Sequence, residues 1–137
     1  MSAKSKGDAV EREVEAILKK DKDNLTFKAQ RTMKFIGKGR FVSQANDFFG
    51  KFDLIVKNKK GMTRWIQVKS DPSDVSKAKP GIEEFYNEYC NKESETVEIW
   101  LKVARKGFVR YLYFGSWIKG YMSLQGEFKK KFKITKG

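Results

Sequence analysis

The chain has 137 residues, 39% of them hydrophobic and 14% aromatic, which is the length of one domain and enough apolar material for a core. Lysine and arginine number 30 against 17 acidic residues, and the net charge of +13 suits a polyanionic partner through phosphate neutralisation and counterion release, although a solvated lysine-rich surface carries the same charge. With no histidine and a single cysteine, Cys90, the chain by itself excludes His/Cys zinc sites, Ser-His-Asp and Cys-His nucleophile pairs and internal disulfides, so any hydrolysis must rest on carboxylates, lysine and a hard metal ion.

The polar start MSAKSKGDAVER has no signal-peptide core, and no apolar run reaches the roughly 18 residues of a membrane span, so a soluble, intracellular protein with no membrane partner is expected. From Lys6 to about Lys20, Val10, Val14, Ile17 and Leu18 recur on one helical face. Glu11 lies about 20° around the wheel from Leu18, bordering that stripe, while Arg12 points more nearly away from it. Glu13 borders the opposite edge and reads as a solvated charge pairing with neighbours. Leu25 to Phe35 reads as a strand, followed by the glycine-bearing basic loop IGKGR. Phe52 to Ser70 reads as a hairpin turning near Asn58 to Gly61. Pro80 can open a second helix with Ile82, Phe85, Tyr86, Tyr89 and Cys90 on one face. Two strands follow, from Val97 and from Phe108, joined at Arg105 to Gly107. The expected fold is α/β, a mixed β-sheet flanked by helices in the order α-β-β-β-α-β-β, built from one domain over residues 1–137. Its basic segment from about residue 126 reads as a short strand, a mobile arm or a frayed terminus.

Parity sharpens the hairpin. Phe52, Leu54 and Val56 fall on one side and Asp53 and Ile55 on the other, while Ile66 and Val68 oppose Trp65, Gln67 and Lys69. Keeping both apolar rows in the core pairs positions that sum to 120, such as Phe52 with Val68, because a one-residue slip would bury the polar row. Asp53 then faces Gln67 with Lys69 two residues along, within cross-strand reach of about 4.5–5.5 Å. A carboxylate and an amide carbonyl are oxygen ligands suited to magnesium, and an ammonium beside them can stabilise charge building on a phosphate. Taken alone, an Asp…Gln-x-Lys match is more often an edge aspartate, a locally bonded glutamine and a solvated lysine.

Three motifs in order, KG-x-x-x-ERE over Lys6 to Glu13, FDLIV with Asp53, and IQVKS with Gln67 and Lys69, resemble the archaeal-type Holliday junction resolvases and related phage or viral endonucleases of the PD-(D/E)xK, restriction-endonuclease-like superfamily. The resemblance covers Lys6 to Ser70 and implies a restriction-endonuclease-like fold and magnesium-dependent cleavage of DNA, with manganese a substitute. It further implies Glu11 as the acidic residue of the first helix, Asp53 as the metal-binding aspartate and Lys69 as the catalytic lysine, with Gln67 completing the metal set. Lys6 and Arg12 from the helix motif, and Arg31 with Arg40 second, are the implied DNA contacts. Gln67 departs from the commoner glutamate and removes a charge from the metal site, for which Asp47 in NDFFGKFD is a possible substitute unless it merely caps its loop.

Lys34, Lys38 and Arg40 beside aromatics form a backbone-tracking loop or a solvated one. Trp65 packs under the second helix in preference to stacking on a base, and the aromatics of FVRYLYF read as core. The resulting expectation is a metal-dependent endonuclease resolving four-way junctions as a homodimer, since two symmetric cuts are needed. Its alternatives are a nuclease of the same superfamily acting on flaps, duplex ends or single strands, and a non-catalytic DNA-binding module.

Overall fold

The computed structural model describes the backbone of residues 3–45, 47–128 and 133–134, and the side chains of 9–30, 35–41 and 47–128. Helix α1, Ala3–Lys19, forms where the apolar stripe requires it, with Val10, Val14 and Leu18 buried. Strand β1, Asn24–Lys28, is followed by a separate two-stranded ribbon of β2, Arg31–Gly37, and β3, Arg40–Ala45. The single strand expected over Leu25 to Phe35 is therefore two, because the chain leaves the main sheet between Lys28 and Arg31. The IGKGR stretch is the ribbon's tip, with Gly37, Lys38 and Gly39 all at positive φ.

Strands β4, Leu54–Asn58, and β5, Thr63–Lys69, form the expected hairpin. Its ladder runs from Leu54↔Ile66 to Lys57↔Thr63, so the paired positions sum to 120 as parity requires. At the turn the Asn58 side chain accepts the N–H groups of Lys60 and Met62, both at 3.0 Å.

Helix α2, Pro72–Tyr89, starts eight residues before the expected point. Asp71 caps it, its side chain accepting the Ser73 N–H at 2.9 Å, and Pro72 occupies the first turn, where a missing N–H costs nothing. Pro80 instead sits inside the helix on its exposed side, while Val75, Ile82 and Tyr86 continue one buried face across it. Tyr89 was expected on that face and is 72% exposed.

The crossover through α2 makes β6, Glu95–Val103, parallel to β5; β7, Gly107–Tyr113, β8, Trp117–Ser123, and the two-residue β9, Lys133–Ile134, follow antiparallel. Sheet order is β1-β4-β5-β6-β7-β8-β9. The α/β mixed sheet with two helices is as expected, whereas β8 and β9 extend the element order and the ribbon interrupts it. Gly107 ends the β6–β7 turn at φ 135, and a Cβ there would lie 2.0 Å from the Met122 carbonyl oxygen.

The helices cover opposite faces. Val10, Val14 and Leu18 of α1 pack with Leu54, Ile66 and Trp100, and Ile82, Phe85 and Tyr86 of α2 pack with Phe52, Val97 and Ile99. Inside the α1 layer Glu98 is almost fully buried, receiving Arg64 Nε at 2.5 Å and Nη2 at 2.9 Å, Arg110 Nη2 at 2.8 Å and Trp100 Nε1 at 3.1 Å. Although burial alone would raise the Glu98 pKa, the two guanidiniums and their hydrogen bonds outweigh it and hold the carboxyl well below the usual range. No helix among the described residues is long and apolar enough to cross a membrane.

Candidate active site

The turn over residues 48–52 builds the site. Phe48 and Phe52 form an antiparallel bridge, with the Phe48 N–H donating to the Phe52 carbonyl at 2.8 Å and the Phe52 N–H returning to the Phe48 carbonyl at 3.1 Å. Asp47 and Asp53 flank this bridge as the next cross-strand pair, which puts their side chains in hydrogen-bonding contact. Asp47, read from sequence as a substitute ligand or a loop cap, is thus Asp53's partner.

Asp53 itself is a bend between the turn and β4. Its N–H donates to the Ile66 carbonyl at 2.9 Å, its carbonyl accepts from Ala29 at 2.7 Å, and its carboxylate accepts the Val68 N–H at 2.7 Å. The bend breaks the alternation expected at Phe52, which packs with α2 on the face opposite Leu54. It also leaves Asp53 at the seam where β4 departs from β5.

Glu11 reaches this seam from α1. Its carboxylate lies 3.6 Å from Lys28 Nζ in a mostly buried pair, and it is close enough to Asp53 to act on its titration. Burial first, then the negative charges of Glu11 and Asp47, push the Asp53 carboxyl up to about 8, against the opposing Val68 hydrogen bond. A buried aspartate repelled by two other carboxylates is a place where a cation replaces a proton. Lys28 is the residue that sequence reading missed, because only the packing of β1 against α1 brings it to Glu11.

Gln67 and Lys69 are half-buried and alternate with the α1-facing Ile66 and Val68, so they belong to the α2 face of β5. Gln67 lines a cleft of about 180 Å³ with Gly50, Lys51, Lys77 and Gly81, and its Oε1 is buried with no hydrogen-bond partner. Glu11 and Asp47 gather around Asp53 at the seam, while Gln67 and Lys69 lie on the α2 face of β5, on either side of the Val68 N–H that Asp53 accepts.

The donor chemistry fits a hard cation. Magnesium keeps several waters and is commonly held by one or two carboxylates with substrate phosphates, which Asp53 with Asp47 or Glu11 can provide, and the unpartnered Gln67 oxygen is a further acceptor. Among the described residues no group of three or more His, Cys, Asp or Glu side chains is placed to hold a metal ion, so at most two of these carboxylates would bind one together.

Of the expected DNA contacts, Arg12, Lys38 and Arg40 are exposed, the last two at the ribbon tip. Lys6 lies in α1, and Lys34 and Arg31 lie in β2, with side chains outside the described residues. Glu13 is ion-paired to Lys102 of β6, in keeping with a charge that pairs with neighbours. Burial and the Glu95 carboxylate push the Cys90 thiol up to about 12, which disfavours its thiolate.

Comparison with family models, curated proteins and solved structures finds no match to this chain. What it does must therefore be read from its own residues.

Proposed function

We propose that the chain is a divalent-metal-dependent DNA endonuclease of restriction-endonuclease-like type, cutting branched DNA, with four-way junctions the leading substrate and a homodimer the acting form. The observation that carries this reading is the gathering of Glu11 and Asp47 around the buried Asp53 in a chain of net charge +13. The ordered motifs that resemble the junction resolvases support it, since their acidic residues Glu11 and Asp53 are the ones in electrostatic contact.

Asp53, with Asp47 or Glu11, would hold magnesium or manganese, which would polarise the scissile phosphate and lower the pKa of attacking water. Lys28 neutralises Glu11 and limits the charge that an approaching phosphate meets. Lys69, at the end of β5 next to the residue whose N–H fixes Asp53, is the cation for the phosphate in the transition state. Gln67 offers its unpartnered oxygen to the metal or its water.

A second reading, a non-catalytic DNA-binding module, is favoured by one observation: among the described residues no group of three or more carboxylates is placed to hold a metal ion. Incubating the protein with a labelled four-way junction, with and without magnesium, separates the two. Metal-dependent cleavage supports the nuclease, and binding without cleavage supports the module. A panel of flap, duplex and single-stranded substrates then sets the substrate class.

A further inference from the structure

The turn that carries Asp47 and Asp53 at its base carries an aromatic residue at its tip. Phe49 is 69% exposed and held at φ 56, in the left-handed region that a bulky side chain rarely adopts. That conformation places its ring 5.7 Å from Trp65 and 5.6 Å from Phe85, and Phe85 in turn lies 5.6 Å from the exposed ring of Tyr89. Together with Lys51 and Glu95 these rings line an open cleft of about 460 Å³, enough space for a nucleobase.

Two polar features say what enters it. Lys51 also lines the neighbouring cleft with Lys77 and Gln67, so one ammonium joins the aromatic slot to a basic pocket. Glu95 accepts the Trp65 Nε1–H and the Asn91 N–H, both at 2.8 Å, and the Cys90 thiol, which fixes the carboxylate in place with one lone pair to spare. A planar apolar guest with N–H donors on its edge and a phosphate attached meets each of these demands.

We infer that the aromatic cleft is a subsite for an unpaired nucleobase, which stacks among Phe49, Trp65 and Tyr89 with its donor edge toward Glu95 and its phosphate on Lys51 and Lys77. The subsite rests on the nuclease reading for its purpose: Phe49 and Asp53 belong to one short turn, so a base taken out of the stack here sets the adjoining backbone beside the acid cluster. It makes a distorted or branched strand, in which unstacking is cheap, a better substrate than continuous duplex.

The test is fluorescence anisotropy in EDTA with two labelled duplexes, one carrying a single bulged guanosine and the other a bulged abasic nucleotide, read beside the tryptophan emission, to which Trp65 contributes with Trp100 and Trp117. The parent protein binds the guanosine bulge roughly tenfold tighter than the abasic one, and the base-bearing duplex alone changes the tryptophan emission. Phe49→Ala and Tyr89→Ala, both at exposed positions, erase the preference, and Phe49→Trp keeps it. Equal binding of the two duplexes by the parent, or a preference undiminished in both alanine variants, overturns the subsite. Because no metal is present, the outcome is separable from the proposed activity: junction cleavage without base preference removes the subsite alone, and base preference without cleavage removes the nuclease alone.

Discussion

The Asp53 carboxylate accepts the backbone N–H of Val68 at 2.7 Å across the seam where β4 leaves β5. This bond locks the acid in place while burial, with the charges of Glu11 and Asp47, keeps its pKa near 8, which favours a proton there at neutral pH when no metal is bound. Between pH 4 and 8 the folded state then binds more protons at this group than the unfolded state does, and stability falls as pH rises through that window. Thermal midpoints measured without metal should decline from pH 5 to pH 8.5, and Asp53→Asn should flatten the decline and stabilise the pH 8 protein by about 1–3 kcal/mol. Magnesium should raise the parental midpoint more at pH 8.5 than at pH 6, since it competes with a proton.

Glu98 has the opposite sign. Its carboxyl is held low by Arg64 and Arg110, so its stabilisation is present above the unfolded carboxylate range and is lost as pH falls below it. Glu98→Gln leaves two guanidiniums facing each other in the α1 layer and should cost about 3–5 kcal/mol in urea unfolding at pH 7. A loss below about 1 kcal/mol would mean that water reaches the pair.

How much of this was legible in the sequence depends on which period carried it. The α1 stripe and the β4–β5 register follow from hydrophobic alternation, which one wrong residue would reverse, and both are found as expected. Phe52 misled because the same alternation was extended through Asp53, and a single bend transfers it to the other face. Pro80 misled because a proline on the solvent side is tolerated within a helix whose buried face continues past it. Strand β8 was missed: Trp117 to Ser123 shows only partial alternation, and its place is fixed by pairing with β7. Motif order singled out Glu11 and Asp53, which the fold sets within electrostatic reach of each other, whereas the Asp47 contact depends on the Phe48–Phe52 bridge and the Lys28 pair on the β1–α1 packing, both tertiary facts.

Gln67 gives a sharper test of the metal set. If its unpartnered oxygen serves the metal, Gln67→Glu lowers the magnesium concentration needed for cleavage, because a hard ion gains more from a carboxylate than from an amide, and Gln67→Leu raises it or removes activity. Magnesium titration of the cleavage rate on one junction substrate reads the effect. Unchanged dependence in both variants would leave Asp53 with Asp47 or Glu11 as the whole set.

Charge predicts the salt response. With 30 basic residues against 17 acidic ones, junction affinity should fall steeply between 50 and 200 mM salt, by roughly tenfold or more, as lysines and arginines displace counterions. Affinity that ignores salt would point to a partner other than nucleic acid.

The central claim is that the acid cluster around Asp53 performs metal-dependent cleavage. Its most direct measurement pairs a single-turnover cleavage assay on a four-way junction at saturating magnesium with a binding titration in EDTA, for the parent, Asp53→Asn and Lys69→Ala. The account predicts cleavage by the parent, a loss of at least about 100-fold in both variants, and junction dissociation constants within about threefold of the parental value, because these groups act in the transition state while affinity comes from many phosphate contacts. Parental-rate cleavage by either variant would contradict its assigned role, and a parent that binds the junction but never cuts it with magnesium or manganese would contradict the claim as a whole.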